Sequence, residues 1–85
     1  MKIKVYSTPT CPYCIELKSF LKRNNVKFVD IDVSKDHEAV SYIISKTGNK
    51  GVPQIEMIDK NKSVQYFVGF DDGIKQNLKK LLKLV

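Results

Sequence analysis

Hydrophobic and polar residues follow two kinds of repeat in the first third of the chain. Lys2 to Ser7 alternates polar and apolar residues, which is typical of a strand. From Pro12 to about Arg23 the apolar residues recur at helical spacing, and Asn24-Asn25 supplies a stop. Val26 to Val33 is nearly continuous in strand-forming apolar residues. This run predicts a second strand that is parallel to the first and covered on both faces.

The middle of the chain predicts a helix followed by a hairpin. Ser34 to Asp36 offers capping side chains before a helical pattern that runs to about Lys46 and ends at Thr47-Gly48. Two alternating segments, Gln54 to Ile58 and Val64 to Val68, flank a polar turn. They predict an antiparallel pair of strands.

The last segment predicts a third helix, which Asp71-Asp72 can cap and whose apolar residues share one face. The resulting order, β-α-β-α-β-β-α, predicts an α/β fold in which three helices flank a four-stranded mixed sheet. The chain has 85 residues and a mass of 9.7 kDa, so we expect one domain over residues 1–85.

Composition narrows the class of protein. The chain is 42% hydrophobic and 28% charged, unlike a disordered or fibrous chain. Its apolar runs, such as Tyr42 to Ile44, are far shorter than the ~20 residues that span a bilayer, so we expect no membrane partner. The first residues form a strand pattern instead of an export signal, which favours a cytoplasmic location.

The charge balance indicates which partners the chain attracts. Fifteen Lys and Arg residues against nine Asp and Glu residues give a formal charge of +6, which favours anionic partners. The sequence contains no basic motif interleaved with aromatic residues and no zinc-finger spacing. We therefore interpret the lysines as solvated faces and expect no nucleic-acid partner.

The segment Cys11-Pro12-Tyr13-Cys14 carries the candidate chemistry. Its spacing at the start of a helix places both sulfurs near one helix end, within reach of a reversible disulfide. Free backbone N–H groups at the helix N-terminus can stabilise a thiolate on Cys11, so we predict that Cys11 is the nucleophile. Cys14 lies inside the first turn and is predicted to be the less exposed, resolving thiol.

Two structural roles for the cysteines are less favoured. A disulfide that closes so short a loop adds little chain-entropy stabilisation. A structural zinc site needs four ligands, whereas the chain has two cysteines and one histidine, His37, in another segment. We expect no bound metal and interpret His37 as a solvated residue.

Three separated motifs carry a family resemblance that covers nearly the whole chain. They are the segments Tyr6 to Cys14, Thr47 to Pro53 and Gly69 to Gly73. With these motifs in this order, the chain resembles a small dithiol glutaredoxin of the thioredoxin-fold superfamily. The resemblance implies a thioredoxin-like fold and a thiol-disulfide oxidoreductase with glutathione as co-substrate and no tightly bound cofactor.

The resemblance also implies binding residues. Pro53 would follow a cis peptide bond beside the cysteines, and the Val52 backbone would pair with an extended cysteinyl peptide. Asp72, together with Asp71, would meet the glutathione ammonium group, although either residue could serve only as an N-cap. The full set of implied glutathione or substrate contacts is Tyr13, Lys50, Val52, Pro53, Asp71 and Asp72.

The chain departs from the family pattern at three places. Thr8 stands where many glutaredoxins have a lysine that helps to hold a glutathione carboxylate, and Lys50 could supply the missing charge. Gly51 replaces the family's usual threonine, and Val68-Gly69 stands where a Gly-Gly pair is common.

The resemblance implies a monomer that acts on disulfide-containing or glutathionylated proteins. An alternative with the same chemistry is a glutaredoxin-like redoxin recharged by thioredoxin reductase, which Thr8 favours weakly. A further alternative is an iron-sulfur carrier in which two chains share a cluster through their thiolates.

Overall fold

The computed structural model describes residues 2–83. Its elements follow the predicted order and are β1 (Lys2–Ser7), α1 (Pro12–Arg23), β2 (Val29–Asp32), α2 (His37–Thr47), β3 (Gln54–Ile58), β4 (Val64–Val68) and α3 (Asp72–Leu81). The prediction of three helices around a four-stranded mixed sheet is therefore confirmed, and so is the thioredoxin-like arrangement.

The sheet has the strand order β2-β1-β3-β4. β1 runs parallel to β2 and antiparallel to β3, and β3 runs antiparallel to β4. Tyr6, near the end of β1, pairs with Gln54 at the start of β3. The loop that leaves β1 toward Cys11 and the loop that enters β3 through Pro53 therefore meet at the same end of the sheet.

One face of the sheet packs against α1 and α3. The buried residues of this core are Ile3, Val5, Leu17, Phe20, Leu21, Ile55, Met57 and Leu78. Because side chains alternate along a strand, Gln54 and Glu56 lie on the opposite face of β3, which α2 covers. There the Glu56 carboxylate accepts hydrogen bonds from the hydroxyls of Tyr42 and Tyr66.

The second strand differs from the prediction. We predicted a strand from Val26 to Val33 that is covered on both faces, whereas β2 spans only Val29–Asp32 and lies at the edge of the sheet, with Val29 47% exposed. Asn25 adopts a positive φ of 58°, and the Val26 N–H donates to the Leu21 carbonyl, so the chain is still turning away from α1 at this point. Val26 and Phe28 pack their side chains against the core without belonging to a strand.

Local signals set the ends of α2 as predicted. The Asp36 carboxylate accepts a hydrogen bond from the Ala39 N–H at 3.0 Å and caps the helix. Gly48 ends it in the left-handed region with φ 68°, a conformation that favours glycine. No helix within residues 2–83 combines the length and apolar character needed to cross a membrane.

Candidate functional site

Cys11 is the N-cap of α1. Its backbone is extended, with φ −82° and ψ 117°, and its sulfur accepts a hydrogen bond from the Cys14 N–H at 3.3 Å. Pro12 occupies the first turn, where the missing N–H of proline removes a donor that the helix would leave unpaired. The Cys11 sulfur thus lies at the N-terminal end of α1, where the helix dipole places partial positive charge.

The two thiols differ in exposure. Both are free; Cys11 is partly exposed, whereas Cys14 is fully buried. Burial, with a smaller contribution from the hydrogen bond to Cys11, raises the pKa of the Cys14 thiol to about 11. Cys14 therefore holds its proton at neutral pH, and Cys11 is the thiol that substrates can reach.

A polar network lies one turn beyond Cys14 on α1. The Lys18 ammonium is 3.1 Å from the Asp30 carboxylate, whose other oxygen accepts a hydrogen bond from the buried Ser7 hydroxyl at 2.7 Å. The positive charge of Lys18 favours the Cys14 thiolate and so partly offsets the rise in the Cys14 pKa that burial causes. Lys18 was not among the predicted site residues, although its i+4 spacing from Cys14 places both on one helix face.

The loop before β3 brings Pro53 to the cysteines. The Val52–Pro53 peptide bond is cis, as the resemblance implies, and Pro53 is buried. The Val52 carbonyl oxygen lies 3.9 Å from the Cys11 sulfur. This loop therefore borders Cys11, and Tyr13, two residues after Cys11, is 60% exposed.

Gln54 holds this loop in place through every polar atom of its side chain. Its amide nitrogen donates to the Asn49 carbonyl at 2.6 Å and to the Gly51 carbonyl at 2.9 Å, and its amide oxygen accepts from the Thr47 hydroxyl at 2.8 Å. Gln54 is only 1% exposed. The sequence analysis placed Gln54 in a strand and missed this role.

A groove of about 450 Å³ is lined in part by Val52, whose carbonyl oxygen lies beside the Cys11 sulfur. Its lining includes five of the six predicted binding residues, namely Tyr13, Val52, Pro53, Asp71 and Asp72. The sixth, Lys50, is exposed on the loop between α2 and β3 and lies outside this lining.

Four lining residues were missed by the sequence analysis, namely Glu16, Gly69, Phe70 and Lys75. Glu16 follows Tyr13 by three residues on α1, and Lys75 follows Asp72 by three residues on α3. This spacing puts each pair on one helix face and was a usable signal. Gly69 has φ 91°, which favours glycine, and its N–H donates to the Pro53 carbonyl at 2.7 Å.

The two aspartates of the groove have different structural roles. Asp71 is the N-cap of α3, and its carboxylate accepts a hydrogen bond from the Ile74 N–H at 2.8 Å. Asp72 lies in the first turn and is exposed. The groove therefore combines the positive end of α3, the ammonium of Lys75 and a carboxylate at Asp72 that the cap does not use.

Over residues 2–83, no cluster of three or more His, Cys, Asp or Glu side chains is arranged to hold a metal ion.

A family model, a sequence relative and two solved structures that are similar to this chain are each described as glutaredoxin or glutaredoxin-like. A family model described as glutaredoxin matches residues 3–63. A glutaredoxin-like 8.6 kDa protein in a rubredoxin operon of Clostridium pasteurianum is 41% identical over 81 residues, which is 95% of this chain and 97% of that protein. The crystal structure of a glutaredoxin from Archaeoglobus fulgidus superposes with a TM-score of 0.77 at 25% identity, over 96% of this chain and 86% of that one. The solution structure of a Brucella melitensis glutaredoxin gives 0.70 at 27% identity, over 99% and 88%.

Proposed function

Because the chain belongs to the glutaredoxin family and is a thiol-disulfide oxidoreductase, we propose that it is a glutathione-dependent dithiol glutaredoxin acting on protein disulfides and glutathione mixed disulfides. Cys11 is the proposed nucleophile and Cys14 the resolving thiol. In this function the chain would act as a single monomeric glutaredoxin domain in a reducing compartment such as the cytoplasm. The observation that carries it is the Cys11 sulfur at the N-terminus of α1, hydrogen-bonded to the Cys14 N–H and 3.9 Å from the carbonyl oxygen of Val52, which lines the groove.

The first step is attack by the Cys11 thiolate on one sulfur of a substrate disulfide. A bond forms between the Cys11 sulfur and that substrate sulfur, the substrate S–S bond breaks, and the second substrate sulfur leaves as a thiolate. The Cys14 N–H at 3.3 Å and the end of the α1 dipole favour negative charge on Cys11 before attack. The thiolate that leaves takes a proton from solvent.

The adduct on Cys11 can be released by either of two thiols. If Cys14 loses its proton and attacks the Cys11 sulfur, the Cys11–Cys14 disulfide forms and the substrate leaves fully reduced, having gained two electrons. If the adduct is glutathione itself, a second glutathione thiolate attacks its sulfur, oxidised glutathione leaves and Cys11 is regenerated. The second route forms and breaks no bond at the Cys14 sulfur and is therefore independent of this residue.

Glutathione is proposed to lie in the groove with its cysteine at Cys11. The Val52 backbone would pair with the main chain of the ligand, and Tyr13 would cover it. The γ-glutamyl ammonium would meet Asp72, while the N-terminus of α3 and Lys75 would receive the neighbouring carboxylate. Lys50, on the loop before Val52, would serve the other carboxylate in place of the lysine that Thr8 replaces.

The test is a side-by-side rate measurement on the oxidised protein with NADPH as the electron source. One arm contains glutathione and glutathione reductase, and the other contains thioredoxin reductase. We expect rapid NADPH consumption only in the glutathione arm. Consumption only in the thioredoxin reductase arm would contradict glutathione dependence and favour the redoxin alternative, whereas consumption in neither arm would contradict the proposed activity altogether.

A further inference from the structure

A second cavity adjoins the groove, between α1 and α3. It measures about 580 Å³ and shares Glu16, Phe70 and Lys75 with the groove beside Cys11. From this shared wall it extends along α1 to Ser19 and Arg23. The two cavities therefore share a wall, and together they run from Val52, whose carbonyl oxygen lies 3.9 Å from the Cys11 sulfur, toward the far end of α1.

The lining of the second cavity combines an apolar surface with positive charge. The rings of Phe20 and Phe70 pack at a centroid distance of 5.7 Å, and Ile15 is 51% exposed beside them. The Lys75 ammonium lies 5.6 Å from the Phe20 ring centroid, and Arg23 is exposed at the end of α1.

The charge on this surface is positive overall. Across residues 2–83 the ion pairs join Lys4 to Glu56 and Lys18 to Asp30, so neither Arg23 nor Lys75 forms an ion pair there. Glu16 contributes a single negative charge to the shared wall. An apolar side chain followed by an acidic one would complement this surface.

The length of α1 decides which ligand can reach this cavity. Arg23 lies twelve positions after Cys11, and α1 spans Pro12–Arg23, so the cavity ends ~18 Å from the nucleophile at ~1.5 Å per residue. A tripeptide spans at most ~10 Å when fully extended, and its cysteine must lie at Cys11. Glutathione therefore cannot fill the second cavity, but a longer polypeptide can.

We propose that the second cavity is a docking site for the polypeptide segment that flanks the reacting cysteine of a protein substrate, with an acidic side chain received by Arg23. At ~3.3 Å per extended residue, the acidic side chain lies roughly five residues from the cysteine. This inference rests on the proposed function and names the class of protein substrate that the site prefers.

The test uses peptides whose single cysteine is joined by a disulfide to the chromophore 5-thio-2-nitrobenzoate. Within each pair, the two peptides differ only in carrying Glu or Lys five residues from the cysteine; one pair places it on the N-terminal side and one on the C-terminal side. The pre-reduced protein attacks the peptide sulfur and the chromophore leaves, so its release rate needs no glutathione. The same chromophore joined to 2-mercaptoethanol serves as the small substrate.

The decisive variant is Arg23→Glu, and Lys22→Glu is its matched control. Both residues are exposed, carry the same charge and lie in the last turn of α1, but only Arg23 lines the cavity. In at least one pair, we expect the Glu peptide to react about threefold faster than the Lys peptide. Arg23→Glu should abolish or reverse this preference, whereas Lys22→Glu should retain it, and neither variant should change the rate with the small substrate.

Three outcomes would overturn the docking site. The first is equal rates within both peptide pairs. The second is an equal loss of preference in both variants, which would mean general charge steering. The third is a slower small-substrate reaction in Arg23→Glu, which would mean an effect at Cys11. If the unaltered protein released no chromophore from any substrate, the proposed function itself would fail. A rapid small-substrate reaction without peptide preference would leave that function intact and remove only the docking site.

Discussion

The Cys11 sulfur accepts a hydrogen bond from the backbone N–H of Cys14 at 3.3 Å, while the Cys14 thiol itself is fully buried. Cys14 therefore contacts the proposed nucleophile through its main chain, while its own thiol is inaccessible to substrates. This asymmetry does not depend on the identity of the substrate, because it arises from the start of α1. It assigns different consequences to the loss of each cysteine.

Replacing each cysteine by serine should show which of the two routes that release the Cys11 adduct requires Cys14. We expect Cys11→Ser to abolish turnover of every substrate, because it removes the only accessible cysteine sulfur in the chain. We expect Cys14→Ser to retain reduction of glutathione mixed disulfides and to lose reduction of protein disulfides. The measurement is NADPH consumption with glutathione reductase on both substrates, and residual activity in Cys11→Ser would refute the assignment of the nucleophile.

The positive charge of Lys18 should make the Cys14 thiol lose its proton at a lower pH than it would without this lysine. Burial raises the pKa of Cys14 from its ordinary value of 9.0 to about 11, and the Lys18 cation opposes this shift. In a Cys11→Ala background, Cys14 alkylation by iodoacetamide should accelerate as the pH rises above 9, since the thiolate is the reactive form. Lys18→Met should move this acceleration to higher pH, whereas Lys22→Met, an exposed lysine one helical turn farther from Cys14, should leave it unchanged. An unchanged profile in Lys18→Met would show that the cation does not act on this thiol.

Substitution of Asp71 should affect protein stability, whereas substitution of Asp72 should affect glutathione binding. Asp71→Ala removes the N-cap of α3 and should lower the free energy of unfolding by about 1 kcal/mol, measured by urea denaturation. Asp72→Asn leaves that cap intact and should raise the KM for glutathione several-fold with little change in kcat. If Asp72→Asn had the same KM as the unaltered protein, the γ-glutamyl ammonium would have to bind elsewhere.

Local chemistry explains the parts of the fold that the sequence predicted. Asp36 and Gly48 mark the ends of α2 through contacts within a few residues of chain, and Asp71 does the same for α3. Val26 and Phe28 misled the prediction of β2, because apolar side chains also pack on the core from an irregular segment. Hydrophobicity indicates burial here, but not backbone conformation.

The candidate site also combines residues that the sequence predicted with residues that it did not. Tyr13, Val52 and Asp72 belong to motifs that can be recognised in the sequence, and they line one groove. Lys75 reaches that groove only because α3 packs against α1, and the second cavity exists for the same reason. The spacing of Lys75 from Asp72 indicates that they share a helix face, but the packing of α3 against α1 joins residues far apart in the chain and leaves no local pattern in the sequence.

The buried carboxylate beneath α2 should make a measurable contribution to stability. Glu56 is 1% exposed and accepts hydrogen bonds from Tyr66, at 2.9 Å, and from Tyr42, with the Lys4 ammonium 3.7 Å away. Tyr66→Phe removes one donor from a buried charge and should lower the free energy of unfolding by about 1–3 kcal/mol. Tyr13→Phe deletes the same hydroxyl at a 60% exposed position and should change it little. Equal effects of the two substitutions in urea denaturation would argue against the network.

Gln54 should position the loop that carries Val52 without touching the substrate. Gln54→Met keeps the length of the side chain but removes its three hydrogen bonds to Thr47, Asn49 and Gly51. We expect faster amide hydrogen exchange in this loop and a higher KM for glutathione, because the Val52 main chain is less firmly held beside Cys11. The control is Gln65→Met on β4, where the side chain is exposed and both quantities should stay unchanged. A Gln54→Met protein that loses stability while keeping its KM would show that Gln54 supports the fold alone.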